Sequence, residues 1–475
     1  MSSELIDVSK HVSELRVVQS DWESLGVTGR VRWVREYANW LLDNADRLTE
    51  SLVAECGKPL VEAKVEVTVP IDIIKYYCRQ AEKSLRTRHP VPPNLLNAVK
   101  RVDVVHRPYP VVAVITPWNF PLGLSLLDAI PALLAGAAVV VKPAPATPHT
   151  VVAAVEGWAA IGAPAVFTAI AGDDGAGRAL VDEADYVQFT GSTATGRKIA
   201  QRCAERLIPC GLELGGKDPA IVLADADVEL AAHGIAWGAL INAGQMCTSV
   251  ERVYVVDSIY DTFVETLAGH VRSLRRNLDV SSLVTAEQFE VVSRHLADAT
   301  ASGARVLAGG GTEPAERWVE PTVLVDVDHT MTCLREETFG PLIPVVRVCD
   351  ESEAVGLANA TTYGLSASVW SRDIRHAERV AAQLDVGAVN INDVHANLFF
   401  FAAPMAGWKE SGLGSRLGGA DGIVKYCRPQ TVTKPRAPLP LQRLLLWYPY
   451  TDFRTNLLGR TLRALAATGR RRFRS

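Results

Sequence analysis

None of the eight cysteines, Cys56, Cys78, Cys203, Cys210, Cys247, Cys333, Cys349 and Cys427, belongs to a CxxC pair. Their scatter argues against a zinc site or a disulfide framework and for a reducing, cytoplasmic setting. No His/Cys/Asp group has metal-ligand spacing, so no metal is expected. No apolar run reaches the roughly 18 residues that a membrane-spanning helix needs. The opening MSSELIDVSK carries acids and no apolar stretch, so no signal peptide is expected. The net charge is only -4, which gives the body of the protein no footing on nucleic acid. There is no internal repeat.

The chain has 475 residues, 48% apolar and 21% charged. That is about three times a typical domain, so two or three domains with a large core are expected. Apolar residues at helical spacing over 28 to 87 predict helices, with Thr28 as a cap. From about 102 the text turns valine-rich, and strands then alternate with helices: AAVVVKP, HTVVAAVEGWAAIGA, FTAIAG, GAGRALVDEA, DYVQFT, GSTATGRKIAQRCAER. Such alternation predicts βαβ units on a parallel sheet. A second series runs from about 213 to AVNIND at 388 to 393. Two α/β domains with a cleft between them are expected. From about 425 the text becomes irregular and proline-rich.

Three strand-to-helix junctions bear glycine or lysine where a nucleotide can sit. Lys142 closes AAVVVK, Gly172 opens GDDGAG, and Gly191 and Ser192 open GSTATG. Backbone N–H groups at helix starts favour phosphate, and α/β sheets bind ligands at strand C-termini. No GxGxxG occurs at these junctions, and tight-turn glycines are the plain alternative. Glu213, between leucines in LELGGK, is unusual for a solvated carboxylate; a salt-bridged one is the alternative. Glu337 precedes an aromatic-Gly-Pro turn. Asn119 in TPWNFP offers an amide to an oxyanion or to a turn. Cys247 in NAGQMCTS is a nucleophile or a buried thiol.

TPWNFP, PALLAG…VVVKP, FTGSTATG, ELGGK, GQMC, EETFGP and PMAGWKESGLG stand in the order and spacing of the aldehyde dehydrogenase superfamily, which the chain resembles over roughly 15 to 435. The resemblance implies a Rossmann-like cofactor domain, an α/β catalytic domain and a small β oligomerisation arm. The corresponding spans are 1–96 and 110–213 for NAD(P) binding, and 214–412 for catalysis. The arm takes 97–109 and 413–436, and a basic tail takes 437–475. It implies NAD or NADP as cofactor and Cys247 as the nucleophile that forms a thiohemiacetal, then a thioester. Asn119 and the Cys247 N–H would hold the oxyanion, and Glu213 would activate the hydrolytic water. Lys142 would bind the adenosine ribose, Ser192 the pyrophosphate, and Glu337 the nicotinamide ribose. Trp118, Phe339, Gly172, Gly191 and Leu214 would surround the cofactor. Phe120, Leu124, Leu127, Met246, Thr248 and Phe399 would meet the substrate. A homodimer or homotetramer is implied.

The chain departs from that pattern in places. Pro145 stands where many NAD-preferring members carry an acid, so NADP should be tolerated. The opening Asn-Pro-Ala-Thr-Gly strand of many members is missing. Leu127 stands where members acting on succinic semialdehyde often place an arginine, and NLFFFAAP adds three phenylalanines. An unpaired carboxylate is costly in such a tunnel, so an apolar aliphatic or aromatic aldehyde is expected. Succinic semialdehyde is the alternative, because SGLGSRLGGADGIVKYC resembles a bacterial branch of semialdehyde dehydrogenases. CoA-acylating members commonly lack the base that Glu213 supplies. A cofactor-free esterase or an inactive binding protein would leave the cofactor motifs or the triad of Cys247, Glu213 and Asn119 unexplained. Leu457, Leu458, Leu462 and Leu465 share a helical face amid seven arginines, which suits peripheral contact with an anionic membrane; a solvated end is the alternative.

Overall fold

The computed structural model describes residues 7–93, 95–436 and 447–467. Two sheets carry the larger of two compact units, which comprises residues 1–84 and 108–426. The first sheet has six strands. Their spatial order is Gly412–Leu413, Cys210–Glu213, Tyr186–Thr190, Val111–Ile115, Ala138–Lys142 and Phe167–Ala169. All neighbours are parallel except the antiparallel edge strand Gly412–Leu413. Most of its strand residues are buried, which is why they read as continuous Val/Ala runs rather than as an alternation. Register aligns Ile115 with Lys142 and with Phe189, and Thr190 with Glu213. The TPWNFP turn, Lys142, the Gly191–Ser192 turn and Glu213 therefore leave the sheet at one edge.

The second sheet has seven strands, in the order Ala388–Ile391, Ser366–Trp370, Asp218–Val222, Val250–Val256, Leu342–Val348, Thr322–Val325 and Arg305–Ala308. It too is parallel except for its last strand. The alanine-rich helix Val228–Leu240 lies close against helix Asp257–Arg272 because Ala231, Ala232, Ile235, Ala236 and Ala239 face the core.

Two sequence expectations change here. Helices begin at Val8, and Thr28 lies inside helix Gly26–Asp43 rather than capping it. That helix follows Val8–Ser24 with Leu25 at its N-cap, which makes no side-chain cap bond. The stretch after 425 is not irregular throughout, because Cys427–Pro435 is a strand paired with Lys100–Pro108. Its residues after Cys427 are exposed on both faces, so no apolar alternation marks it. This pair belongs to the second unit, residues 85–107 and 427–475. The expected tail from 437 to 446 and from 468 to 475 lies outside the described residues. All eight cysteines are free.

Candidate active site

After helix Val228–Leu240 the backbone turns left-handed at three successive residues, Asn242 (φ 52°), Ala243 (φ 56°) and Gly244 (φ 73°). Non-glycine residues enter that region only under constraint. The constraints are visible. The Asn242 N–H donates to the Glu62 carboxylate at 3.0 Å, and its side-chain amide donates to the carbonyls of Asn119 (3.0 Å) and Gln245 (3.2 Å). The Gln245 amide donates to the Asn242 carbonyl at 2.8 Å and accepts from the Val284 N–H at 2.9 Å. A Cβ on Gly244 would lie 2.3 Å from the Gly340 carbonyl oxygen, so only glycine fits. This brace delivers Cys247 to the wall of a cavity of about 490 Å³.

The Cys247 thiol donates to Glu213 Oε1 at 3.3 Å. Burial, then the nearby Asp218 and Glu337 carboxylates, push the thiol up to about 12, against the lowering effect of the Cys247 and Thr248 N–H groups. The resting group is thus a thiol whose proton faces a carboxylate. Glu213 is 1% exposed and is ion-paired with Arg416. Arg416 reaches Asp128 at 3.6 Å, Lys425 reaches Asp128 at 3.5 Å, and the Tyr426 hydroxyl donates to Asp128 at 3.3 Å. Two carboxylates and two cations are thus buried together, which balances their charge where desolvation would otherwise be severe.

The Asn119 side-chain amide donates to the Gln245 carbonyl at 2.9 Å. The Asn119 backbone carbonyl accepts from Lys58 Nζ at 2.9 Å. Lys58 pairs with Glu66 at 2.5 Å, both fully buried, and lies 4.2 Å from the Phe120 ring centre. Glu66 also accepts the N–H groups of Leu122 (3.0 Å) and Gly123 (3.1 Å), in the first turn of helix Pro121–Ala135. Lys58 and Glu66 thus fix both Asn119 and that turn. Sequence reasoning missed both, since each reads as a solvated charge on an amphipathic stretch.

Trp118 and Phe339 meet edge to face, 5.6 Å apart at 87°. Phe339 is left-handed (φ 51°), and its N–H and that of Thr338 donate to Glu251 at 2.7 and 2.8 Å. Lys217 pairs with Glu251 at 2.6 Å and donates to the Thr338 hydroxyl at 3.2 Å. This buried pair was also missed. Glu337 accepts the Gly216 N–H at 3.0 Å, and a Cβ on Gly215 would sit 2.4 Å from its carboxylate. Burial, with Glu251 adding to it, pushes Glu337 up to about 8.

Lys142 is 4% exposed, and its pKa is held below the usual lysine range by burial, with Asp174 and Asp173 opposing. A buried ammonium at a strand end suits a ribose hydroxyl or phosphate ligand. The Ser192 hydroxyl caps its own helix, accepting the Thr195 N–H at 3.3 Å. The Gly191 N–H donates to the Glu213 carbonyl at 3.1 Å. Leu214 packs on Gly196, where a Cβ would come within 2.4 Å of it. Beyond Gly172, the Asp173 carboxylate takes the N–H groups of Gly175 (2.8 Å) and Ala176 (3.2 Å). That helix start is therefore capped from within, which leaves those two N–H groups engaged. The residues on this side fit an NAD(P) dinucleotide.

Of the expected substrate residues, Phe120, Leu124, Leu127, Met246 and Phe399 line the cavity. Thr248 does not: it is 2% exposed and packed away from the cavity wall. Of the three phenylalanines, Phe400 is 66% exposed and Phe401 packs on Tyr76 at 6.4 Å. Helix Leu60–Leu85 adds Val61, Val65 and Val69, and Trp237 and Leu274 join them. The polar lining is Glu62, Glu66, Asn119, Glu213, Asp279 and Arg416.

Burial pushes Glu62 up to about 7 from 4.5, with the Asn242 N–H and Lys58 opposing. A carboxyl raised in the folded state favours its neutral form, so the fold loses stability as pH climbs from 4.5 through 7 and loses no more above. Glu62→Gln keeps an acceptor for Asn242 and removes this loss. Its denaturation midpoint should exceed that of the native protein at pH 8, by up to about 3 kcal/mol in stability, and converge with it near pH 5. An equal difference at both pH values would contradict this role.

A model of the aldehyde dehydrogenase family matches residues 2–432. A Mycolicibacterium smegmatis protein, named provisionally as an NADP(+) succinate-semialdehyde dehydrogenase, is 42% identical over 90% of this chain and 85% of its own. A Methylomonas protein named 4,4'-diapolycopene aldehyde oxidase is 40% identical over 90% of this chain and 82% of its own. The solved structure of an Anabaena variabilis protein, named provisionally as an aldehyde dehydrogenase, is similar with a TM-score of 0.87. It is 37% identical, and the match covers 93% of this chain and 95% of that one.

Proposed function

The chain belongs to the aldehyde dehydrogenase family, an NAD(P)-dependent oxidoreductase family, and from that premise we propose which residues act and on which aldehyde. Cys247 gives its proton to Glu213, 3.3 Å away, and its sulfur attacks the aldehyde carbon. The Asn119 amide and the Cys247 N–H hold the oxyanion of the thiohemiacetal; one such donor is worth roughly 3 to 4 kcal/mol. The bound nicotinamide supplies the hydride acceptor. With its first proton passed to solvent, Glu213 takes a proton from water, which attacks the Cys247 thioester carbon; the C–S bond breaks, Cys247 leaves as the thiolate and the carboxylic acid is released.

Lys142 holds the adenosine ribose, Ser192 the pyrophosphate and Glu337 the nicotinamide ribose, between Trp118 and Phe339. Gly172, Gly191 and Leu214 complete the wall. Residues 1–96 and 110–213 form the cofactor domain, 214–412 the catalytic domain, and 97–109 with 413–436 the arm. Self-association as a homodimer or homotetramer, and peripheral membrane contact through the tail, belong to the same proposal.

The substrate is an apolar aldehyde. One observation carries this: Arg416 is the one cation among the described lining residues, and Glu213 and Asp128 already engage it. Asp279, which also lines it, is paired with Arg275 at 2.7 Å. A carboxylate entering there would meet no unpaired cation. The name of the Methylomonas relative agrees with this reading. Succinic semialdehyde is the second reading, favoured by the name of the M. smegmatis relative. Steady-state rates with straight-chain aldehydes, benzaldehyde and succinic semialdehyde decide between them. We expect kcat/KM to climb with chain length and succinic semialdehyde to be at least about tenfold poorer, the factor that 1.4 kcal/mol of lost binding gives. Succinic semialdehyde as the best substrate would overturn the apolar reading.

A further inference from the structure

From Trp447 to the end of the chain, seven arginines accompany one acid, Asp452. Helix Asp452–Ala466 is capped by the Thr451 hydroxyl, which accepts the Arg454 N–H at 3.3 Å. Ahead of it and in its first turn stand Trp447, Tyr448, Tyr450 and Phe453, exposed by 58%, 82%, 62% and 76%. Helical spacing puts Leu457, Leu458 and Leu462 on one side and Arg460 and Arg463 on the other; Arg454 shares the leucine side, where its guanidinium donates to the Pro449 carbonyl at 3.1 Å, and Leu457 and Leu462 are themselves exposed. So much aromatic and leucine surface in water is unfavourable unless something covers it.

The charge says what covers it. Trp and Tyr concentrate at the boundary between lipid headgroups and acyl chains. An amphipathic helix with arginines opposite its leucines lies in that plane. No described helix is long and apolar enough to cross a membrane. Nucleic acid would satisfy the arginines and leave the leucines in water. We propose that residues 447 to 467 bind the surface of an anionic lipid bilayer, with the helix in the membrane plane and the aromatic cluster at the headgroup boundary. This deepens the tail contact proposed above by naming the lipid charge and the residues that meet it; it does not rest on the apolar-aldehyde reading and is measured without turnover, so either can fail alone.

The test is co-sedimentation of the full chain with phosphatidylcholine vesicles, with and without phosphatidylglycerol. Each arginine near an anionic surface contributes roughly fivefold to partitioning. The native protein should sediment with the anionic vesicles and far less with the neutral ones. Arg460→Ala with Arg463→Ala should weaken this by roughly tenfold or more. Leu457→Glu with Leu462→Glu should weaken it as much and leave the oligomeric state and aldehyde oxidation unchanged, since both side chains are exposed. No preference for anionic vesicles, or undiminished binding by the leucine variant, would overturn the proposal. So would a leucine variant that changes the oligomeric state, which would make the occupant a second copy. Tighter binding to RNA or DNA that ignores the leucines would make it nucleic acid.

Discussion

Cys247→Ala should eliminate aldehyde oxidation, with kcat falling on the order of 10⁴-fold or more, as losses of a covalent nucleophile do. No neighbour replaces it, because Cys247 is the one cysteine among the described residues lining the cavity. Cys56 and Cys78 are buried and do not line the cavity. Reduced-cofactor formation reads the loss. Binding of NADPH, followed by fluorescence transfer from Trp118, should persist, because the Trp118–Phe339 pair and its Glu251 anchor do not depend on the thiol. A variant that keeps a few per cent of native turnover would remove Cys247 from the chemistry. One that loses cofactor binding as well would make the residue structural.

Glu213→Gln has the second-largest expected effect, and it separates two steps. The hydride step needs the thiol ionised, whereas release of the acid needs water deprotonated while the thioester waits. Glutamine accepts a hydrogen bond but takes no proton. Turnover should drop by roughly 10²- to 10⁴-fold, the range for loss of a general base. The Cys247 thiol must then give its proton to water, so the first equivalent of reduced cofactor per site should form more slowly than in the native protein, yet still as a burst, because the thioester it leaves has no base for its hydrolysis. Asp128 is then left alone against Arg416 and Lys425, one buried cation goes unbalanced, and the variant should also lose stability, on the order of 3 to 5 kcal/mol. Equal slowing of burst and turnover would assign Glu213 to thiol activation alone, and loss of the burst amplitude would contradict the scheme.

The alternation of apolar strands and helices was legible because strand residues buried on both faces leave continuous runs that short propensities alone do not produce. The junctions were legible for the same reason: a strand must end before a ligand can be met, and Lys142, Ser192 and Glu213 mark such ends. Thr28 misled because a good capping residue inside a continuing apolar period caps nothing. Strand Cys427–Pro435 buries almost nothing, so apolar patterning gave no sign of it, and only the β arm implied by the resemblance pointed to a strand there. The charge cluster joins residues 128, 213, 416 and 425, and nothing local in any of those stretches announces it. Lys58 and Glu66 are only eight positions apart, yet their pairing depends on the turn at Gly57 (φ 68°) that brings the lysine inward. Thr248 failed as a substrate residue because adjacency to Cys247 in sequence does not give it the same wall.

The most direct measurement is the mass of the Glu213→Gln protein after brief incubation with NADP and a long straight-chain aldehyde, followed by acid quench and peptide digestion. The account predicts an acyl adduct, heavier by the chain and confined to the peptide that carries Cys247, in an amount matching the burst of reduced cofactor. An adduct on any other cysteine, or reduced cofactor formed with no adduct at all, would contradict it.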